Sequence, residues 1–162
     1  SGTRLWTFLT SGKVESVPVT FAGKVYFGAG DSRLYALDRQ SGGLAWYYST
    51  GDAIYTQPLL AGDVVYVASM GYVVSALAAD DGRLLWEYYT DTPLRYAPIL
   101  SGQRLYLSPA NDPVLYWLNV ASGDVLGRQD AGEWPACQPI AAGGVLYLAQ
   151  RDSTIIAYGL ED

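Results

Sequence analysis

The sequence predicts an all-β protein made of four copies of one small sheet, and three observations carry that prediction. Prolines at Pro18, Pro58, Pro98 and Pro139 recur at intervals of 40, 40 and 41 residues, and Tyr26, Tyr66, Tyr106 and Tyr147 repeat with the same spacings. Trp6, Trp46 and Trp86 keep that period, with Gly127 in the fourth equivalent place. Short β-branched and aromatic runs bounded by Gly and Asp fill each period. No useful window carries the i, i+3, i+4, i+7 spacing of an amphipathic helix. Several columns locked to one period make a fourfold repeat over the 162 residues.

One unit shows the order of its elements. From Pro58, apolar runs over residues 58–60, 64–68, 72–77 and 84–88 are separated by Ala-Gly-Asp, Ser-Met-Gly and Asp-Asp-Gly. Four strands in about 40 residues form one blade of a β-propeller. The proline suits the start of a strand at a sheet edge, where its missing N–H leaves no ladder bond unmade. Gly42, Gly82 and Gly123 form a further column at the hairpin turns, where a positive φ costs glycine nothing sterically. Each tryptophan follows four residues after such a glycine and is large enough to fill a wedge between blades. Ala36, Ala76, Trp117 and Ala157 make another column.

Composition limits the chemistry. Ten Lys and Arg against sixteen Asp and Glu give a net charge of −6, which argues against a nucleic-acid backbone or an anionic membrane as main partner. Histidine is absent, which removes Ser-His-Asp and Cys-His catalysis and every His-ligated metal site. The single cysteine, Cys137, forms no intrachain disulfide. No run approaches the about 18 apolar residues of a spanning helix, and the first residues do not read as a signal peptide. Any export or anchoring segment is expected outside this sequence.

Residues 36–46, ALDRQSGGLAW, resemble the Ala-x-Asp-x-x-Thr-Gly-x-x-x-Trp docking motif of the pyrroloquinoline-quinone (PQQ) type propeller repeat, with Ser41 for Thr. Residues 76–86 are similar but carry Ala78 for the Asp. Residues 117–127 keep Asn119, Ser122 and Gly123 and lose both ends. The resemblance extends over nearly the whole chain. It implies that the tryptophan strand is outermost and the proline strand innermost, with Trp6, Trp46 and Trp86 as docking residues. It also implies seven or eight blades in a complete ring and favours a periplasmic or extracellular setting. Relatives of this type include quinoprotein dehydrogenases, an outer-membrane assembly lipoprotein and bacterial sensor domains.

The whole chain, residues 1–162, is therefore expected to be one propeller domain of four four-stranded blades. It opens with an outer strand at residues 3–9 that has no earlier partners, and its last strand, 154–160, has no outer strand after it. Joined head to tail, AYGLED and SGTRLW nearly regenerate the docking motif, so residues 1–9 are expected to complete the last blade. Bare strand edges otherwise invite aggregation. Three closures are open: a self-closed four-bladed ring, an eight-bladed ring of two chains, or half of a longer propeller. The resemblance favours the homodimeric ring.

Binding candidates sit where the columns vary. Three residues before each repeat proline stand Glu15, Tyr55, Arg95 and Ala136, and two before it Ser16, Thr56, Tyr96 and Cys137, with Trp134 nearby. Glu15, Tyr55, Arg95, Tyr96 and Trp134 are the expected partner-binding residues, since aromatic and Arg groups dominate interface hot spots. Tyr48 and Tyr88 should share a face with their tryptophans, leaving Tyr47 and Glu87 on the opposite face. Asp31, Gly71, Asn111, Asp112 and Asp152 read as turn caps rather than a metal cage, and Cys137 as a small packing residue. Dehydrogenases of the resembling type hold PQQ with Ca²⁺ through Glu, Asn and Asp groups and often adjacent cysteines, a set this chain does not match. The expectation is a non-catalytic binding or sensing scaffold for a protein, peptide or small ligand, with no cofactor and no metal. The competing reading is a PQQ-binding oxidoreductase or cofactor-responsive sensor.

Overall fold

A computed structural model describes residues 2–160 and contains strands and turns with no helix among them. The first sheet is β1 (Val19–Phe21), β2 (Lys24–Gly28), β3 (Arg33–Asp38) and β4 (Leu44–Ser49). The second is β5 (Leu59–Ala61), β6 (Val64–Ala68), β7 (Val73–Ala78) and β8 (Leu84–Tyr89). The third is β9 (Ile99–Ser101), β10 (Arg104–Leu107), β11 (Val114–Asn119) and β12 (Val125–Asp130). The fourth has three strands, β13 (Ile140–Ala142), β14 (Val145–Ala149) and β15 (Ile155–Gly159). Each is an antiparallel meander in chain order. The innermost strands neighbour one another, β1 beside β5 and β9 beside β13, so the sheets stand as successive blades.

The repeat columns explain the packing. In each of the first three blades the register slips between the third and fourth strands, at Ala36/Leu37, Ala76/Leu77 and Trp117/Leu118. Such a bulge re-aims the side chains beside it, here the docking position. The Trp46 ring lies over Gly82 of the next blade, where a Cβ would stand 2.6 Å from the indole, and its Nε1 donates to the Ala79 carbonyl at 3.2 Å. Trp86 covers Gly123 and donates to the Val120 carbonyl at 3.2 Å. Tyr26 and Tyr66 donate to the same two carbonyls, at 2.8 and 3.0 Å. The turn glycines take positive φ as expected, 72° at Gly42 and 75° at Gly82.

Apolar clusters follow these junctions. Nine buried residues lie between blades two and three, including Tyr66, Leu94 and Leu118, and eight between blades one and two, including Tyr26, Ile54 and Leu77. Among the described residues, Tyr106, Leu115 and Leu146 make the buried core between blades three and four. Tyr48 and Tyr88 pack into the wedges beside their tryptophans.

Three sequence expectations need correction. Residues 3–9 run extended but form no ladder within the chain. Trp6 and Phe8 instead lie on the first blade, with the Trp6 ring over Gly42 and its Nε1 donating to the Arg39 carbonyl at 3.0 Å. The fourth blade accordingly has three strands among the described residues, where β15 pairs with β14 alone. The junction expected between AYGLED and SGTRLW involves Ser1, Glu161 and Asp162, which lie outside the described residues. Glu87 does not present a free carboxylate, since it is half-buried and accepts hydrogen bonds from Tyr48, Ser75 and Tyr89.

Candidate functional site

All the expected binding residues lie on loops at one end of the blades, in the segments leading from one blade's outer strand to the next blade's inner strand. Each loop is tied to the turn between its blade's middle strands by an equivalent backbone bond. Gly30 donates to the Lys13 carbonyl at 2.8 Å, Met70 to Ala53 at 2.9 Å, Ala110 to Pro93 at 3.3 Å and Arg151 to Trp134 at 3.0 Å. Buried hydroxyls add a second tie: Ser16 Oγ accepts the Gly28 N–H at 2.8 Å, and Thr56 Oγ1 donates to the Ala68 carbonyl at 2.7 Å. The loops are thus held on a stiff frame, which suits a surface that reads a partner.

Glu15, Tyr55, Arg95 and Ala136 occupy the same exposed place on four successive loops. Four different side chains therefore stand at one structural position while the backbone ties of their loops repeat. Tyr55 rests against Gly30 of the preceding blade. Tyr96 is half-buried, and its hydroxyl reaches the Pro135 carbonyl at 3.4 Å, bridging the loops of blades three and four. Trp134 is exposed, with the Arg151 guanidinium 5.2 Å from its ring centroid. Arg151 Nη2 also donates to the Ala110 carbonyl at 3.4 Å. The structure thus brings Tyr96, Trp134 and Arg151 to the loops of blades three and four, with Arg95 exposed beside Tyr96 in sequence and Glu15 on the loop that enters blade one.

Arg151 was missed by the sequence reading; its only signal is variation in the column Gly30, Met70, Ala110, Arg151. A second missed feature is Tyr72, exposed in the corresponding turn with φ 67°. A bulky residue in the left-handed region costs about 1–2 kcal/mol, which the turn tolerates at this surface. Cys137 is exposed rather than packed. A thiol is too weak a hydrogen-bonding group to be drawn inward as Ser16 and Thr56 are.

The polar turn residues behave as caps. Asp152 Oδ1 accepts from the backbone and hydroxyl of Thr154, bonds that lower its pKa, and Asp112 Oδ1 accepts the Val114 N–H at 3.0 Å. Asp31 instead binds the Ser11 N–H and the Tyr35 hydroxyl through Oδ2. Among the described residues no three His, Cys, Asp or Glu side chains converge to hold a metal. On the opposite blade faces Tyr47 is exposed, with Arg33 4.6 Å from its ring centroid.

Antiparallel four-stranded blades, inner strands side by side and indoles docked on the next blade's glycine define a β-propeller of the PQQ-like repeat class. The sequence matches the family described as outer membrane protein assembly factor BamB over residues 1–110, and the chain belongs to that family. BamB from Moraxella catarrhalis superposes with a TM-score of 0.81 at 17% identity, over 96% of this chain and 49% of that one. The computationally designed Ika4 protein gives 0.87 at 13% identity, over 99% of this chain and 100% of Ika4. The quinohemoprotein alcohol dehydrogenase ADHIIG from Pseudomonas putida HK5 gives 0.78 at 16%, over 94% and 33%. These likenesses are of fold, and the chain spans about half the length of the Moraxella BamB. No curated protein matches the sequence.

Proposed function

We propose that this chain is a non-catalytic recognition module that reads a protein or peptide partner through its loop face, with Arg95, Tyr96, Trp134 and Arg151 at the centre and Tyr55 and Glu15 toward the rim. The carrying observation is that exposed positions differ from loop to loop on a frame whose ties repeat. The Trp134–Arg151 stack supports the assignment of the centre, because Trp, Tyr and Arg are the residue types that dominate hot spots. Membership of the BamB family supports a protein-binding rather than a chemical role.

The test is selection of binders from a displayed peptide library. Peptides retained by the wild type and lost from Arg95→Ala and Trp134→Ala, at unchanged Tm, are the expected result. Binders indifferent to both substitutions, or none at all, overturn the assignment. Added PQQ with calcium is expected to leave Tm unchanged; a rise of several degrees would show cofactor binding and overturn the non-catalytic reading.

The same reading includes a homodimer in which two chains close an eight-bladed ring. Tyr147 is 39% exposed, whereas its counterparts Tyr26, Tyr66 and Tyr106 are at most 4% exposed beneath a following blade. At the other end, Leu5 and Leu9 lie in the open beside Trp6, and the free edge of β15 is the place for their segment. Light scattering across a dilution series should give twice 17.5 kDa. A mass that stays at one chain overturns the dimer without touching the loop-face assignment.

A further inference from the structure

The two ends of the chain carry the faces that meet at the seam between blades one and two. On the fourth blade Ile140, Tyr147 and Ile155 are 62%, 39% and 75% exposed, and in the repeat they match Val19, Tyr26 and Leu34, which pack against blade two. On the first blade Phe27 and Leu37 match Val67 and Leu77, and Trp6 and Phe8 lie on them as Trp46 and Tyr48 lie on blade two. The loops add a feature particular to these ends. The Tyr55 ring, on the loop entering blade two, lies 3.7 Å from where a Cβ of Gly30, in the preceding blade's turn, would stand. The repeat sets Arg95 against Met70 and Ala136 against Ala110 in the same way, and none of these three pairs joins opposite charges. The pair left for a seam between a fourth blade and a first is Arg151 with Glu15, both exposed.

We propose that Glu15 of one copy and Arg151 of a second form an ion pair at each seam of a two-chain ring, and that this pair selects blade four to meet blade one. The proposal rests on the homodimer reading above and adds the contact that makes its seams specific. Charge complementarity names the second copy as occupant: one chain carries both signs, one at each end, and a two-fold axis brings them together twice. In this structure the Arg151 guanidinium rests by Trp134 and gives a long bond, 3.4 Å, to the Ala110 carbonyl, so it has further N–H groups to offer a carboxylate. A carbonyl fixes the register. Tyr26 and Tyr66 donate to the Ala79 and Val120 carbonyls, which also receive the Trp46 and Trp86 N–H groups. The Arg39 carbonyl already receives the Trp6 N–H at 3.0 Å, and it is the matching place for the Tyr147 hydroxyl of the second copy.

The test compares the assembly of the whole chain with that of two charge reversals, by light scattering across a dilution series at low salt. Wild type should give twice 17.5 kDa. Glu15→Arg and Arg151→Glu each place like charges at both seams, so either alone should raise the dimer Kd at least about tenfold, by a factor that shrinks as salt rises. Mixed in equal amounts, the two variants again present opposite charges at both seams. Native mass spectrometry should then show a heterodimer stronger than either homodimer, and the double variant Glu15→Arg/Arg151→Glu should recover self-association. A wild-type dimer that both reversals leave intact, or reversals that mixing does not rescue, would overturn the ion pair and leave the homodimer standing. If a reversal fails to fold, the salt dependence of wild type decides instead: a Kd that does not rise with salt overturns the pair. A wild type that stays at 17.5 kDa overturns the pair and the homodimer together, and gives the open face of blade four to a different chain.

Discussion

The Tyr48 hydroxyl of the first blade donates to Glu87 Oε1 of the second at 2.8 Å, and this bond ties the two blades together through side chains. Ser75 donates to the same oxygen at 2.9 Å and Tyr89 to Oε2 at 3.0 Å, so one half-buried carboxylate serves three hydroxyls. Hydrogen bonds to charged groups contribute about 1.5–3 kcal/mol each when shielded, less toward solvent. Glu87→Ala should therefore cost about 2 kcal/mol in a urea titration, and Glu87→Gln less. A loss below about 0.5 kcal/mol would show that the three hydroxyls are satisfied by water instead.

The same carboxylate makes stability fall in alkali. Burial and the bond to Glu87 push the Tyr48 phenol up to about 12, and burial with Asp112 pushes Tyr116 up to about 12. A folded pKa above the ordinary 10 contributes stability that is fully present below pH 10 and lost as pH rises through 12. Unfolding free energy should decline across pH 10 to 12. Tyr48→Phe and Tyr116→Phe should flatten that decline, as read by denaturant titrations at stepped pH. An unchanged slope in both variants would contradict the assignment.

Glycines in left-handed turns are not equivalent here. Gly82 has φ 75° and the Trp46 ring 2.6 Å from where a Cβ would stand, whereas Gly62 has φ 57° and open space. Gly62→Ala should cost about 1 kcal/mol, the left-handed penalty alone. Gly82→Ala adds displacement of the docked indole, and overpacking of this kind costs about 1–3 kcal/mol more. Thermal denaturation of the two variants side by side checks the difference; equal losses would mean that the indole moves freely.

The docking turn can be improved in the second blade. Asp38 Oδ1 accepts from the backbone N–H of Gln40 and Ser41 and from the Ser41 hydroxyl, and Asn119 Oδ1 accepts from Ala121 and Ser122. Ala78 holds the same place with nothing to offer. Ala78→Asn should stabilise by about 0.5–1 kcal/mol, raising Tm by about 1–4 °C. Asparagine is chosen because Asp80 and Asp81 would oppose another carboxylate. A fall in Tm would show that Ala78 has no room for the larger side chain.

Much of the frame was legible because its causes are local or periodic. A glycine needed at positive φ, a proline beside an edge strand and a tryptophan four residues past a turn recur wherever the blade recurs. The partners of Glu87 were not legible, since Tyr48 lies 39 residues away on another blade and no column marks the pairing. Tyr96 sits in a column of buried hydroxyls, and only its reach to Pro135 shows that it bridges two loops instead. The exchange between Trp117 and Gly127 was visible as two broken columns. That the two breaks compensate one another appears only once strand register brings Trp117 opposite Gly127. Residues 3–9 have the alternation of a strand, but a ladder needs a neighbour, which sequence pattern does not supply.

The thin core between the third and fourth blades sets the order in which the molecule comes apart. Among the described residues the buried clusters join blades adjacent in sequence, so each seam contributes its own share of cohesion, as in stacked repeats. Among the described residues the last seam has three buried residues, a borrowed indole and a final sheet of three strands. Local opening starts where cohesion is least. The amides of the final forty residues are therefore expected to exchange with solvent faster than those at the two seams sealed by Trp46 and Trp86.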